Sequence, residues 1–342
     1  MYNHADMKRH IIKQGTSTLT ISLPSSWVKS LNLEGGDEVE VTEVNQNLII
    51  STNQRIHLKR AILDISEFPE KIIRRYFTAL YMSGYDEIVI RFSEPKQLKL
   101  LQEITDDHIG FTIIEQTSRH CVAKEIAKPQ PDDFEKLMRR LFHMITTAGN
   151  DLLTAVEKND YEMMLMIREA DESVNKISGY CIRLLNKFGH PSKQNILSLD
   201  DLVRNLERLG DSYKHIAKAI INRKAKVSKE TIKIIKETNI VMQEFFHLYF
   251  HFDKEKLVMA YERKNALVTS VEECLNAQKS ADNLVLSEIK RAVIIFSEIS
   301  QSIMALNIET EEEQKNKMPE KIMNREESRE KKNKKEKSFI HS

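Results

Sequence analysis

The spacing of apolar residues changes twice along the chain. From residue 8 to about 51 apolar and polar positions alternate in short runs, which predicts strands at 9–13, 18–23, 38–44 and 48–50. Leu23-Pro24 ends the second run, and Pro24 stands where a helix can start, with about two turns over 25–31. Gly35-Gly36-Asp37 reads as a tight turn and Asn45-Gln46-Asn47 as a hairpin loop. From 55 to about 127 the texture is mixed: strands at 60–65, 87–92, 110–115 and 121–126 alternate with helices at 69–83 and 95–106, a small α+β layer. Pro129-Gln130-Pro131 punctuates the chain as a linker. Beyond it the helical period takes over, with helices expected at 132–158, 160–188, 199–223, 228–252, 254–278 and 283–308. Six helices with short connections predict a bundle of two three-helix units.

These textures divide the chain into segments 1–54, 55–128, 132–308 and a tail, 309–342, dense in Lys and Glu and expected to be disordered. The first segment has too few apolar positions to bury a core alone, so it is expected to be an interleaved homodimer. The fold class is therefore a multidomain α+β chain with a large helical part.

Composition narrows the partners. Lys plus Arg number 52 against 51 for Asp plus Glu, so any nucleic-acid function must come from a local basic patch. Such a patch exists: residues 1–33 carry Lys8, Arg9, Lys13 and Lys29 against Asp6, a net of +3, whereas 34–43 carry a net of −5. Cys121, Cys181 and Cys274 are widely spaced and form no CxxC, which points to free thiols in a reducing compartment. No apolar run approaches the ~20 residues that span a bilayer, and residues 1–6 lack a signal-peptide core. The expectation is a cytoplasmic protein without membrane insertion.

The candidate chemistry lies in the helical part. Glu207 and Asp211 are four apart and share a helix face at the edge of the stripe Leu202, Leu206, Leu209, Tyr213, Ile216 and Ile220. Gly210 between them costs roughly 1 kcal/mol relative to Ala, which makes sense if a backbone or ligand approaches closely. Asp171 and Asn175 share a face of the preceding helix in the same way. If the two helices pack antiparallel, the four oxygen-bearing side chains converge on one site for a hard or borderline cation. The plainer reading is two amphipathic helices with solvated edges. His247 and His251 have metal-pair spacing but sit in an aromatic helix end, read as core packing, and Met163-Met164-Leu165-Met166 reads as core filler. No Walker A loop, GxGxxG, Ser-His-Asp order or HExxH occurs, so no catalytic constellation is present and no enzyme is expected.

Asn205-Leu206-Glu207-Arg208-Leu209-Gly210-Asp211 with Ile216-Ala217 resembles a helix signature of the PhoU family. That resemblance implies two three-helix repeats and a cation (Fe, Mn, Mg or Zn) held by Asp171, Asn175, Glu207 and Asp211. In the second repeat the counterpart of the Glu207–Asp211 pair is Ile294-x-x-x-Glu298, and Asp171 maps onto Tyr261 or Lys264, so a second site is expected to be absent or weakened. The segments 15–24, 33–41 and 47–50 resemble the AbrB/MazE/SpoVT swapped-hairpin family, and Ser22-Leu23-Pro24-Ser25-Ser26-Trp27 is similar to archaeal-type phosphate uptake regulators that join the two. This implies a swapped-hairpin β-barrel dimer that binds double-stranded DNA through Lys8, Arg9, Lys13, Thr16, Ser17, Thr18 and Lys29. The function it implies is regulation of phosphate homeostasis, with a phosphate transporter or signalling protein as a further partner. The alternative is an adaptor that binds no DNA and inhibits a transporter by contact.

Overall fold

The computed structural model describes residues 8–15, 17–44, 47–51, 58–127, 129–130, 132–190, 195–223, 226–277 and 282–308. Thr16, the Asn45-Gln46 part of the expected hairpin loop, the 54/55 boundary, Pro131 and the tail 309–342 lie outside the described residues. The chain divides into two compact units, Met1–Lys59 and Arg60–Ser342.

In the first unit β1 (Ile12–Gln14) pairs with β2 (Thr18–Thr20), and β3 (Glu40–Val44) pairs with β4 (Asn47–Ser51), both antiparallel. Between them lies the short helix α1 (Ser25–Ser30), preceded by Pro24 as expected. Gly15 takes a left-handed φ of 75°, which lets the first hairpin turn without the penalty a side chain would pay. The first strand is shifted three residues from its expected start. Among the described residues of one chain the strands form two separate two-stranded ladders and no closed barrel. Ladders this short cannot close alone.

The second unit opens with a four-stranded sheet in the order β5-β6-β8-β7: β5 (Arg60–Asp64), β6 (Glu87–Arg91), β7 (Phe111–Gln116) and β8 (His120–Glu125). β5 and β6 are parallel, joined by helix α2 (Glu70–Met82), and the other pairings are antiparallel. Helix α3 (Lys96–Asp106) precedes the β7–β8 hairpin. Ile88 lies opposite Ala123 and Ile90 opposite Cys121, so all four point to one face, where Ile73, Phe77 and Tyr81 of α2 and Leu101 and Ile104 of α3 bury them.

Six helices follow: α4 (Asp133–Lys158), α5 (Tyr161–Phe188), α6 (Ile196–Arg223), α7 (Lys229–Phe250), α8 (Lys254–Ala277) and α9 (Asn283–Leu306). Asn159, left-handed at φ 54°, closes α4, and the Asp160 side chain accepts from the Met163 N–H at 3.0 Å to open α5. Ser228 caps α7 through the Thr231 N–H. Helix α6 starts earlier than its apolar period indicates, because the Asn195 side chain accepts from the Ser198 N–H. The hydrophobic core runs without a break from the sheet through the bundle. The methionine run is only partly core: Met164 is buried, but Leu165 and Met166 are exposed, since consecutive helical residues fan around the axis. Phe142, Phe246, Tyr249 and Phe250 form the expected aromatic cluster, with His247 stacked on Phe246 but itself exposed. Cys121 and Cys181 are buried free thiols, and burial pushes the Cys121 thiol up to about 11. Among the described residues no helix is long and apolar enough to cross a membrane.

Candidate functional site

Helices α5 and α6 pack closely at Gly210, where an added Cβ would lie 3.3 Å from Val174 Cγ1. The glycine is thus explained by a neighbouring helix. That close approach brings the polar edges of both helices together. Lys214 Nζ donates to Asp171 Oδ2 at 2.6 Å and also to Asp211 Oδ1. Asn175 Nδ2 donates to the same Asp171 Oδ2 at 3.1 Å. Asp171 is 6% exposed, and its Oδ1 is buried without a hydrogen-bond partner. Glu207 has its pKa raised, first by burial and then by repulsion from Asp211 and Asp171. Burial opposes the charge on Lys214, but its hydrogen bonds to Asp171 and Asp211 outweigh that and raise its pKa.

Three of the four expected ligands, Asp171, Asn175 and Asp211, therefore share one network, and Glu207 feels it electrostatically. The cation between the carboxylates is the chain's own ammonium. Lys214 was missed in the sequence because a lysine three residues beyond an aspartate is an ordinary helix-face pair. The orphaned Asp171 oxygen is the one feature that suits a metal. Against it, Lys214 occupies the space between the carboxylates, and among the described residues no group of three His, Cys, Asp or Glu side chains is placed to hold an ion. As arranged, these residues do not fit a metal, and the physical reason is the ammonium. Three of the side chains also open to different sides. Asn175 and Glu207 line a cleft against α2 and α3, whereas Asp171 lines a mostly apolar hollow against α4.

In the second repeat Lys264, 5% exposed, donates to Ser297 Oγ at 3.0 Å and lies 4.3 Å above the Tyr261 ring. Glu298 faces Arg208 at 3.5 Å, and Ile294 is exposed. In the register that sets Ile294 and Glu298 against Glu207 and Asp211, Ser297 answers to Gly210.

The two halves of the second unit are tied by Arg183, a fully buried arginine on α5 that the sequence did not single out. It donates to Glu125 Oε1 at 2.9 Å and to the Tyr81 carbonyl at 2.7 Å, and lies over the rings of Tyr81 and Phe111. One turn on, Lys187 bridges Asp86 and Glu125, each at 2.5 Å.

In the first unit Lys8 and Arg9 precede β1, Lys13 lies on it, Ser17 and Thr18 follow the turn, and Lys29 lies on α1. All six are exposed. Lys13 lies opposite Leu19 in the ladder, so a basic and an apolar side chain share that face.

Two family models match the chain: the bacterial antitoxin MazE, described as antidote-toxin recognition, over residues 12–56, and the PhoU domain over residues 138–220. The PhoU match spans α4 to α6. Among solved structures, the phosphate transport system regulatory protein PhoU from Streptococcus pneumoniae is 18% identical, with 52% of this chain and 94% of that chain covered and a TM-score of 0.41. PhoU from Pseudomonas aeruginosa is 16% identical, with 51% and 95% covered and a TM-score of 0.42. No curated protein matches the sequence. The family match places a PhoU domain at residues 138–220 of the helical part. Taken from the N-terminus, the chain joins a MazE/AbrB-like domain to that PhoU domain.

Proposed function

We propose that this chain is a DNA-binding regulator of phosphate uptake and has no enzymatic role. The reading is carried by one observation about the first unit. Ile11, Ile12, Leu19, Ile21, Val41 and Leu48 are each more than half exposed in a single chain, beside the exposed cations Lys8, Lys13 and Lys29. A unit this small cannot stay folded with its apolar residues in water. A second copy covers them, and dimerisation doubles the basic edge. Lys8, Arg9, Lys13 and Lys29 then contact phosphates of double-stranded DNA, and Ser17 and Thr18, with Thr16 beside them in sequence, donate hydrogen bonds. The phosphate link rests on the PhoU match, since the Streptococcus protein is named a phosphate transport regulator.

The bundle would report state through the Asp171–Asn175–Glu207–Asp211 face. There the ammonium of Lys214 takes the place between the carboxylates that a divalent or trivalent cation would need. Analysis of metal content tests this: Lys214→Met is expected to retain metal that the wild type lacks, and equal content would end the idea.

Chromatin immunoprecipitation under phosphate-replete and phosphate-starved growth tests the function as a whole, with enrichment at phosphate-transport promoters expected. In vitro, the full chain should bind DNA with an affinity that falls steeply with salt, and Lys13→Ala should reduce the salt slope by about 1. Absence of salt-sensitive binding would favour a cytoplasmic adaptor acting directly on a transporter.

A further inference from the structure

The layer of α2 and α3 meets α5 and α6 across a cleft of about 440 Å³, within the size range of small-molecule sites. We propose that this cleft binds a small aliphatic amine, with Glu207, Glu172 and the Ser178 hydroxyl taking the ammonium groups. Three observations carry it. Ser178 is 3% exposed, lines the cleft, and its Oγ has no hydrogen-bond partner. Neighbouring hydroxyls are satisfied: Thr105 donates to the Leu101 carbonyl and Thr78 pairs with His108. A buried hydroxyl aimed into a cavity is left for a ligand to complete.

The charges around the cleft set the sign of that ligand. Its three cations are already held from within the chain: Arg74 by Glu70, Glu103 and Asp107, Lys176 by Asp107, and Arg204 by Asp200. Burial holds the His108 pKa below the usual imidazole value, and its ring nitrogens bond to the Ile104 carbonyl and Thr78. Glu172 and Glu207 also line the cleft, and among the described residues neither has an ion-pair partner. The uncompensated charge is therefore negative, and an ammonium is the group that fits. Behind Glu207, Asp211 and Asp171 add to that negative charge, and Lys214 and Arg208 offset part of it. The apolar lining of Met82, Ile104 and Ile182 suits a methylene body. The site lies wholly in the second unit, so it stands or falls independently of DNA binding by the first.

Calorimetric titration of the full chain with 1,4-diaminobutane tests the proposal, with inorganic phosphate as the second probe. Saturable binding of the diamine is expected, weakened about tenfold or more in Glu172→Gln/Glu207→Gln, since charge-assisted hydrogen bonds are lost. Ser178→Ala removes one oxygen from a helix interior, so it keeps the fold and should weaken binding by about threefold or more; it decides the matter if the double variant does not fold. No saturable diamine binding, equal affinity in Ser178→Ala, or saturation by phosphate in place of the diamine would overturn the proposal.

Discussion

The two repeats of the bundle carry opposite chemistry where α5 meets α6 at Gly210 and where α8 meets α9 at Ser297. In the first, Gly210 lets α6 approach Val174 of α5, and the flanking positions hold Asp171, Glu207 and Asp211 around Lys214. In the second, Ser297 stands at the glycine position and takes a hydrogen bond from the buried Lys264, which lies over Tyr261. Three acids around one lysine mark the contact at Gly210, and a lysine held by a hydroxyl marks the one at Ser297. The first repeat is also the one anchored to the sheet, through Arg183 and Lys187, and the one that the PhoU model matches. The two places therefore differ in sign: carboxylates gather beside Gly210, and an ammonium lies beside Ser297.

The strongest way to break this comparison is to cut the anchor. Arg183→Met leaves Glu125 buried against Lys187 alone and the Tyr81 carbonyl with only the Gly84 N–H as donor, and should cost about 3–5 kcal/mol in denaturant unfolding. Hydrogen exchange should rise in α5 and the sheet while α8 stays protected. Equal loosening of both repeats would mean that the anchor is not specific to the first. Next comes the joint between repeats. Asn239 on α7 donates to the Gly149 carbonyl and accepts from the Tyr213 hydroxyl, and a Cβ at Gly149 would meet Asn239 Oδ1 at 2.6 Å. Gly149→Ala should therefore destabilise by about 1–3 kcal/mol despite its better helix propensity.

Smaller effects separate the two lysines. Lys214→Met leaves Asp171 and Asp211 facing each other without a cation and should cost about 1–2 kcal/mol, reduced by its partial exposure. Lys264→Met replaces an ammonium held by one hydroxyl and should change stability by less than about 0.5 kcal/mol, because an apolar side chain of similar volume packs there. Equal costs would erase the distinction between the repeats. The smallest effect belongs to Glu207. Its raised pKa means the folded state binds the proton more tightly than the unfolded chain, so stability is lost as pH rises above the ordinary 4.5 through the raised value. Glu207→Gln should melt about 1 °C higher than the wild type at pH 7, and the gap should close toward pH 4.5. A gap independent of pH would show that Glu207 is uncharged or unstrained.

Much of the architecture was legible in the chain because long helices repeat their apolar spacing many times. The change from α4 to α5 was visible as a stop in the helical period after residue 158. Short strands were placed less well, as the shift of β1 to Ile12–Gln14 illustrates, since three residues carry almost no period. The site was half legible. Asp171, Asn175, Glu207 and Asp211 stood out by spacing, but Lys214 looked like an exposed charge until α5 was laid beside it. Arg183 was invisible for a related reason: burial of a guanidinium depends on Glu125, Tyr81 and Phe111, far away in sequence and on other elements.

Helix α5 holds both the Asp171 cluster and the Arg183 anchor. Twelve residues separate them, about 18 Å along the axis at 1.5 Å per residue. An α-helix barely stretches, so it works as a push-rod whose two ends share one axial position. Any rearrangement at Asp171 that slides α5 by a fraction of a turn drags Arg183 across the fixed carbonyl of Tyr81, where a donor 2.7 Å away has little slack. Helix α2 must follow, or the bond must break.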